Sequence, residues 1–393
     1  MLATLFFLIF PLLVSANLPT PYQSFRIDEL HNNYRMNVFP PARNMPAIFR
    51  SQSLAQSSNN WASRCIWGHS GTPGVGENIY AISIRSPNTS AFNVDIPVQA
   101  WGSEKPYYFY NTNTCATGQV CGHYTQMIWA NTRFVGCAIQ DCPIITNLGY
   151  GGTYVVCQYS PPGNFGGQRP YVAADWTINW QPFGGLLMKY ISTRAGFVWG
   201  VNPNNQVYKL VNNVWTLQQG SLINLGTTEG NSIWGIGIRG NIAYYTDGIP
   251  KIMPLPPNNK GIIQIDGINE NSAVMVDTGS TVWYYFNKIY YNLGIGFKWI
   301  SQGLGYDIWA VGGGGKVYRW TPTVGRWVQQ PGQGLANIHV ADLQNIVATA
   351  NNGTLWRLQY GQWVQLPGTG KQISMSNGIV YRIDTANNVY RSG

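Results

Sequence analysis

From Trp199 to the C-terminus the chain repeats one short pattern six times, and few folds accept such a pattern. A Trp-x-Val-like run begins at residues 199, 234, 273, 309, 347 and 380, at spacings of 35, 39, 36, 38 and 33. A Gly/Asn turn and an aromatic run follow it, as in Val207-Tyr208, Val282-Trp283, Val317-Tyr318, Leu355-Trp356 and Val389-Tyr390. Segments of the form Trp-x-x-x-x-Gly open the units at Trp215, Trp327 and Trp363, and an apolar run such as Asn337-Ile-His-Val-Ala341 comes next. Four short strands fit each period, which predicts a six-bladed β-propeller. Ile252 and Tyr290 stand where an opening Trp is expected. The last repeat lacks its opening strand, and Trp180-Gln-Pro-Phe-Gly184 supplies one from upstream. The first and last strands then share a blade, which closes the ring and removes exposed sheet edges.

The N-terminal part is of another kind. All six cysteines lie between residues 65 and 157. Residues 2–14 are nearly all apolar and Val14-Ser15-Ala16 offers a cleavage site, so residues 1–16 read as a signal peptide despite lacking a basic residue before the apolar run. That run is too short to span a bilayer, and no later stretch is long and apolar enough. Six clustered cysteines behind a signal peptide read as three disulfides in an extracellular protein, and their spacings form no paired CxxC zinc knuckles. Charged residues make up only 10% of the chain, well below the roughly 25% of an average soluble protein. The net charge of +9 sits mostly in residues 176–393, with fifteen Lys and Arg against eight Asp and Glu. That surplus suits solubility, or acidic glycans, lipid phosphates and anionic surfaces. No basic run or basic helix points to nucleic acid.

Helices are expected over residues 24–37, 50–63, 98–105 and 124–129, and strands over 134–139 and 153–159. Within this region, Cys121-Gly-His-Tyr-Thr-Gln-Met-Ile-Trp129 with Gly136-Cys137-Ala138, and Tyr154-Val-Val-Cys157-Gln-Tyr159-Ser-Pro-Pro-Gly163-Asn164-Phe165, resemble the two signatures of the CAP superfamily. Gly68-His69-Ser70, Gly76-Glu77-Asn78-Ile79-Tyr80 and Trp101-Gly-Ser-Glu104-Lys105 match further blocks in the same order. The superfamily holds cysteine-rich secretory proteins, venom antigens and plant pathogenesis-related proteins. His31-Asn32 with Arg35, the loop from Asn113 to Cys121 and Gly167-Gln-Arg-Pro-Tyr171 look most like the plant branch. The resemblance implies an α-β-α sandwich and disulfides Cys65–Cys142, Cys115–Cys121 and Cys137–Cys157. Cysteine spacing alone leaves fifteen pairings open.

The resemblance also places His69, Glu77, Glu104 and His123 on the family's cleft tetrad. Imidazoles ligate metals and carboxylates can hold their second nitrogens. Two His are fewer than the three protein ligands of most catalytic zinc sites, so any zinc here is expected to bind weakly. A hydrogen-bonded network buttressing the cleft is the plainer reading. No nucleophile with a partner base is evident, and no catalytic residue is assigned. Tyr107-Tyr108-Phe109-Tyr110 could be core or an exposed apolar patch, and the resemblance implies binding of a sterol or fatty-acid-like lipid there. In this reading His31 and His339 are packed structural residues, and Asn88 and Asn352 begin N-glycosylation sequons.

The Trp…Pro-Gly and Trp-x-Val pattern of the second half resembles the tectonin repeat of slime-mould, fungal and invertebrate lectins, which implies glycan binding between blades. The same Trp residues could instead only pack blades together. The expected architecture is α+β: a signal peptide at 1–16, a CAP sandwich over 17–175 and an all-β six-bladed propeller over 176–393. The expected protein is secreted, non-enzymatic and not membrane-spanning, with a defence role by analogy. Its CAP domain would take a sterol or small lipid, and its propeller would take glycans on cell or microbial surfaces. The alternatives are a metal-dependent hydrolase or protease using the tetrad, and a pure adhesion protein.

Overall fold

The computed structural model describes residues 18–174, 177–246, 249–258, 260–303 and 307–392. The signal peptide expected at 1–16 and the boundary expected at 175/176 lie outside the described residues. One unit comprises mainly residues up to Val172 and a second mainly residues from Ala173 onward.

In the first unit, α1 (Pro21–Met36) starts at a capping box, with Thr20 and Gln23 satisfying each other's backbone N–H and Pro21 in the first turn. Ser51 caps α2 (Gln52–Ala62) by accepting from Leu54 N. Two shorter helices follow, α3 (Asp95–Gly102) and α4 (Gly122–Met127). The sheet has the order β1 (Phe49–Arg50), β5 (Phe134–Ile145), β6 (Tyr150–Ser160), β2 (Gly76–Ile82), parallel only between β1 and β5. A two-stranded ribbon, β3 (Tyr108–Phe109) and β4 (Thr114–Cys115), stands apart from it. Strands β1 and β2 and this ribbon are absent from the sequence expectation, which placed residue 50 in a helix.

Alternation along β5 and β6 builds two cores. Val135, Cys137, Ile139, Val155, Cys157 and Tyr159 face Ile27 and Leu30 of α1, Val98 and Trp101 of α3 and Met127 of α4. Ala138, Tyr154 and Val156 face Ala62 of α2. Helices thus cover both faces of the sheet. Helix α2 lies so close that a Cβ on Gly136 would stand 2.1 Å from Ala55 N. Three disulfides join Cys65 to Cys142, Cys115 to Cys121 and Cys137 to Cys157. Fully buried Arg35 donates from α1 to the carbonyls of Pro46, Met127, Trp129 and Thr132, which fixes the exit of α4.

The described residues of the second unit form a ring of six blades, each of four antiparallel strands. The long strand Val214–Thr227 is the outer strand of the first blade and the inner strand of the second, so these two form one continuous sheet. The ring closes where Trp180–Pro182 pairs with Val389–Ser392.

The inner strands follow one rule. Each carries an amide or aromatic at one equivalent position (Tyr190, Asn224, Gln264, Trp299, Asn337, Gln372) and Ile or Leu next to it. The polar heads bond the backbone of the following blade: Ile265 N to Asn224, Ile300 N to Gln264, Trp299 Nε1 to Ile338 O, Asn337 to Lys371 O, and Gln372 to both N and O of Ile191. At the axis, Arg194 of the first blade reaches Thr227 O, Ala341 O, Gln302 O and both carboxylate oxygens of Asp266, the last at 3.2 Å. Asp266 also accepts from Ser301 and Gln302 N. Five of the six blades meet at this one ion pair, whose side chains are 1% and 5% exposed.

The outer-strand Trp residues staple neighbouring blades. Trp180, Trp363 and Trp327 donate through Nε1 to Pro367, Pro331 and Leu293, each the residue before a glycine in the preceding blade. Tyr290 does the same with its hydroxyl to Pro254 O, which explains how Tyr replaces Trp there. A Cβ on Gly332 (φ 115°) would stand 2.4 Å from Trp363 Nε1, so this position requires glycine. The Trp180-to-Gly184 segment is one residue shorter than its counterparts, and Trp215 Nε1, which faces it, has no partner among the described residues.

Removing one member of the axial pair leaves the other charge buried. Arg194→Met is therefore expected to cost about 3–5 kcal/mol. The double variant Arg194→Met, Asp266→Leu should recover much of that loss. Urea unfolding followed by tryptophan fluorescence checks both, and equal losses in the two variants would contradict the assignment.

Candidate functional site

The tetrad comes from four separate pieces of chain. His69 follows Gly68, whose carbonyl accepts from both Trp61 Nε1 and Tyr154 OH, so the loop is held from two sides. Glu77 lies on β2, Glu104 follows α3, and His123 lies in the first turn of α4. His69 Nδ1 is 3.0 Å from Glu77 Oε1, and His123 Nδ1 is 2.6 Å from Glu104 Oε1. The structure thus pairs each imidazole with its own carboxylate. Neither Nε2 has a protein partner among the described residues.

Surrounding groups fix both carboxylates. Glu77 also accepts from Ser70 N at 2.8 Å and from the buried amide of Gln158 at 3.0 Å. Glu104 accepts from the backbone of His123 and Tyr124, both at 3.0 Å, at the N-terminal end of α4. The His123 ring stacks on Trp101 at 12° between planes, and Trp101 Nε1 donates to Ile79 O on β2. Asn78 donates to His123 O and to Tyr159 OH, which also bonds His31 Nε2 at 2.8 Å. A polar chain therefore runs from α1 through the sheet to the cleft. Asn78 and Gln158 lie inside the quoted motif blocks, yet nothing in the sequence marks them as supports.

The two pairs differ in exposure. The His69 side chain is 62% exposed, against 29% for His123. The hydrogen bond that His69 donates to Glu77 raises the His69 pKa against a smaller opposing effect of burial. Burial alone would raise the Glu77 pKa, but hydrogen bonds from His69, Ser70 and Gln158 outweigh it and hold the carboxyl below its ordinary value.

As a metal site this arrangement supplies two imidazole nitrogens, because the carboxylates are turned to the Nδ1 atoms. Among the described residues no group of three or more His, Cys, Asp or Glu could hold a metal ion. Two imidazole nitrogens are fewer than the three protein ligands of most catalytic zinc sites, so the set does not fit a three-ligand centre.

The aromatic run divides. Tyr108 bonds Asn113, and Tyr110 bonds Tyr171 O at 2.9 Å and stacks on its ring. Tyr107 and Phe109 are exposed, at 40% and 50%. Alternation along the ribbon thus replaces the continuous patch that four successive aromatics suggested. His31 and His339 are buried, and burial pushes the pKa of each down to about 4. Asn88 and Asn352 are exposed, and Asn352 Oδ1 accepts from Thr354 Oγ1.

The His69–Glu77 pairing has a pH window. The raised His69 pKa contributes stability that is full below the ordinary value of 6.5 and is lost as pH rises through the folded value. The depressed Glu77 pKa contributes stability that is present above the ordinary 4.5 and is lost as pH falls through its folded value. An NMR titration should place His69 above 6.5, and Glu77→Gln should move it down. No movement would show that the carboxylate does not control the imidazole.

Residues 29–159 match the CAP, or cysteine-rich secretory protein, family, and residues 167–255 match the tectonin domain. Peptidase inhibitor 16 of Bos taurus is 39% identical over 145 residues, covering 36% of this chain and 30% of that protein. GLIPR1-like protein 1 of Homo sapiens is 36% identical over 159 residues, covering 37% of this chain and 62% of that protein. The chain therefore spans less than two thirds of either relative. A solved structure titled "Crystal structure of NaASP2 with Zn2+" aligns with a TM-score of 0.32 and 24% identity, over 40% of this chain and 88% of that one. The mammalian relatives do not confirm a place in the plant pathogenesis-related branch. The chain carries a CAP domain of the cysteine-rich secretory protein family, followed by a tectonin domain.

Proposed function

We propose that this is an extracellular recognition protein whose CAP unit binds a sterol or similar small lipid and whose propeller binds surface glycans. The observation that carries the lipid half is the β3–β4 ribbon. Tyr107 and Phe109 present apolar rings to solvent while Tyr108 and Tyr110 anchor the same strand inward. Cys115–Cys121 closes the loop behind them. Exposed aromatics on a pinned backbone lose little freedom when a ligand covers them, which favours binding.

The glycan half rests on the tectonin match and on half-buried Trp180, Trp327 and Trp363, repeated around the ring. Their Nε1 atoms are already bonded between blades, so a sugar would meet only ring edges or faces. Six similar blades would raise avidity without a tight single site. His69 and His123 are the residues that would hold a weakly bound zinc ion; the metal would supply a Lewis-acidic centre in the cleft.

Titration with a fluorescent sterol tests the lipid half. Saturable binding is expected, with at least about a tenfold loss in Tyr107→Ala, Phe109→Ala, as follows from exposing two aromatic side chains' worth of ligand contact. Tyr110→Phe serves as the comparison that keeps the apolar ring. Undiminished binding in the double variant would move the lipid site elsewhere, and no binding by folded protein would remove it.

A further inference from the structure

The seam between the last and first blades holds a pair of lysines that neither the staples nor the axial ion pair uses. Lys189 and Lys371 occupy the same position in adjacent blades, immediately before the first residue of the inner strand. Their backbones are in identical register, with Lys189 N donating to Val201 O and Lys371 N to Ile383 O, both at 2.8 Å. Gln372 grips Ile191 by both its N and its O, which ties together the two strands that begin next to the lysines. Each ammonium donates to an asparagine in its own blade, Lys189 to Asn205 and Lys371 to Asn387. Asn387 in turn bonds Met188 N through its carbonyl, so the arc Asn387, Lys371, Lys189, Asn205 is continuous.

This combination occurs once in the ring. The corresponding residues of the other blades are Ile223, Ile263, Lys298 and Ala336. Neither seam lysine has an ion-pair partner among the described residues. Asp384 is near Lys371, but its oxygens accept from Ala386 N, Asn388 N and the Asn388 amide. Burial lowers the pKa of both lysines, and the charge on Lys371 lowers that of Lys189 further. Asp384 partly offsets the effect of burial on Lys371 without pairing with it, so two half-buried cations share one nearby carboxylate and a bound anion would relieve them. Each ammonium keeps two donors after its asparagine. A phosphate or sulfate ester offers these donors three terminal oxygens, one more than a carboxylate, and a phosphate ester also carries the two charges that neutralise both lysines.

We propose that Lys189 and Lys371 form an anion site at the seam, and that its ligand is the phosphate or sulfate monoester of a sugar. The sugar part rests on the glycan reading given above; the anion part does not. Calorimetric titration of the full chain at low ionic strength tests it, with glucose 6-phosphate, galactose 6-sulfate, inorganic phosphate and glucose as probes. Saturable binding of the sugar esters is expected, tighter than that of inorganic phosphate. Lys189→Gln and Lys371→Gln should each weaken it about tenfold or more, as loss of a charged hydrogen bond does. Lys298→Gln should leave it unchanged, and unchanged urea midpoints would show that the variants fold.

No saturable binding of any ester, or equal binding by the double variant, overturns the site. Equal affinity for inorganic phosphate and the sugar esters overturns the sugar assignment and keeps the anion site. A glycan array probed in parallel separates the two ideas: loss of all neutral-glycan capture with ester binding retained sinks the lectin reading alone.

Discussion

The second unit depends on one buried ion pair. Removing a guanidinium and a carboxylate from water costs several kcal/mol each, and their attraction offsets this only when the remaining donors and acceptors are also satisfied. Around Arg194 and Asp266 they are: carbonyls from the second, fourth and fifth blades receive the guanidinium, and Ser301 and Gln302 N complete the carboxylate. These partners come together only when the inner strands stand at their six-fold spacing. The pair is therefore a condition on blade number and register more than a source of net stability. The amide ring of Asn224, Gln264, Asn337 and Gln372 repeats the same logic between neighbours, and the Trp staples repeat it at the periphery.

The first unit uses a different constraint. Its sheet is short of interior, so three disulfides and the buried guanidinium of Arg35 tie loops and helices to it. The cleft inherits that rigidity. Each imidazole is held through Nδ1 by a carboxylate that is itself held by backbone or amide donors, and neither Nε2 has a protein partner among the described residues. Such a layout orients two nitrogens well and leaves the carboxylates no freedom to become ligands.

Much of this was legible in the sequence, for identifiable reasons. Repeats at 33 to 39 residues signal blades because each blade must bury its faces on neighbours of the same kind. The His and Glu blocks were legible because short motifs carry them. Arg194 and Asp266 were not: each sits in a strand-like run, and 72 residues separate them. Lys189 and Lys371 meet only through ring closure. The aromatic run from Tyr107 to Tyr110 could not be divided into anchors and exposed rings without the ribbon that makes it alternate. The Trp residues allowed both a sugar platform and a packing role. Bonds from Trp180, Trp327 and Trp363 to carbonyls of the preceding blade show the packing role.

The closing strand has a consequence for how the chain is made. Trp180–Pro182 emerges at the start of the second unit, yet among the described residues it pairs only with Val389–Ser392. During synthesis from the N-terminus, every blade but the last can be assembled in order, while this segment stays unpaired. The ring therefore stays an open arc, with sheet edges available to other chains, until the final strand arrives. The first unit faces no such wait, since all its strands and cysteines precede that point. Synthesis from the N-terminus thus completes a disulfide-bonded unit ahead of a propeller that closes in one late, long-range step.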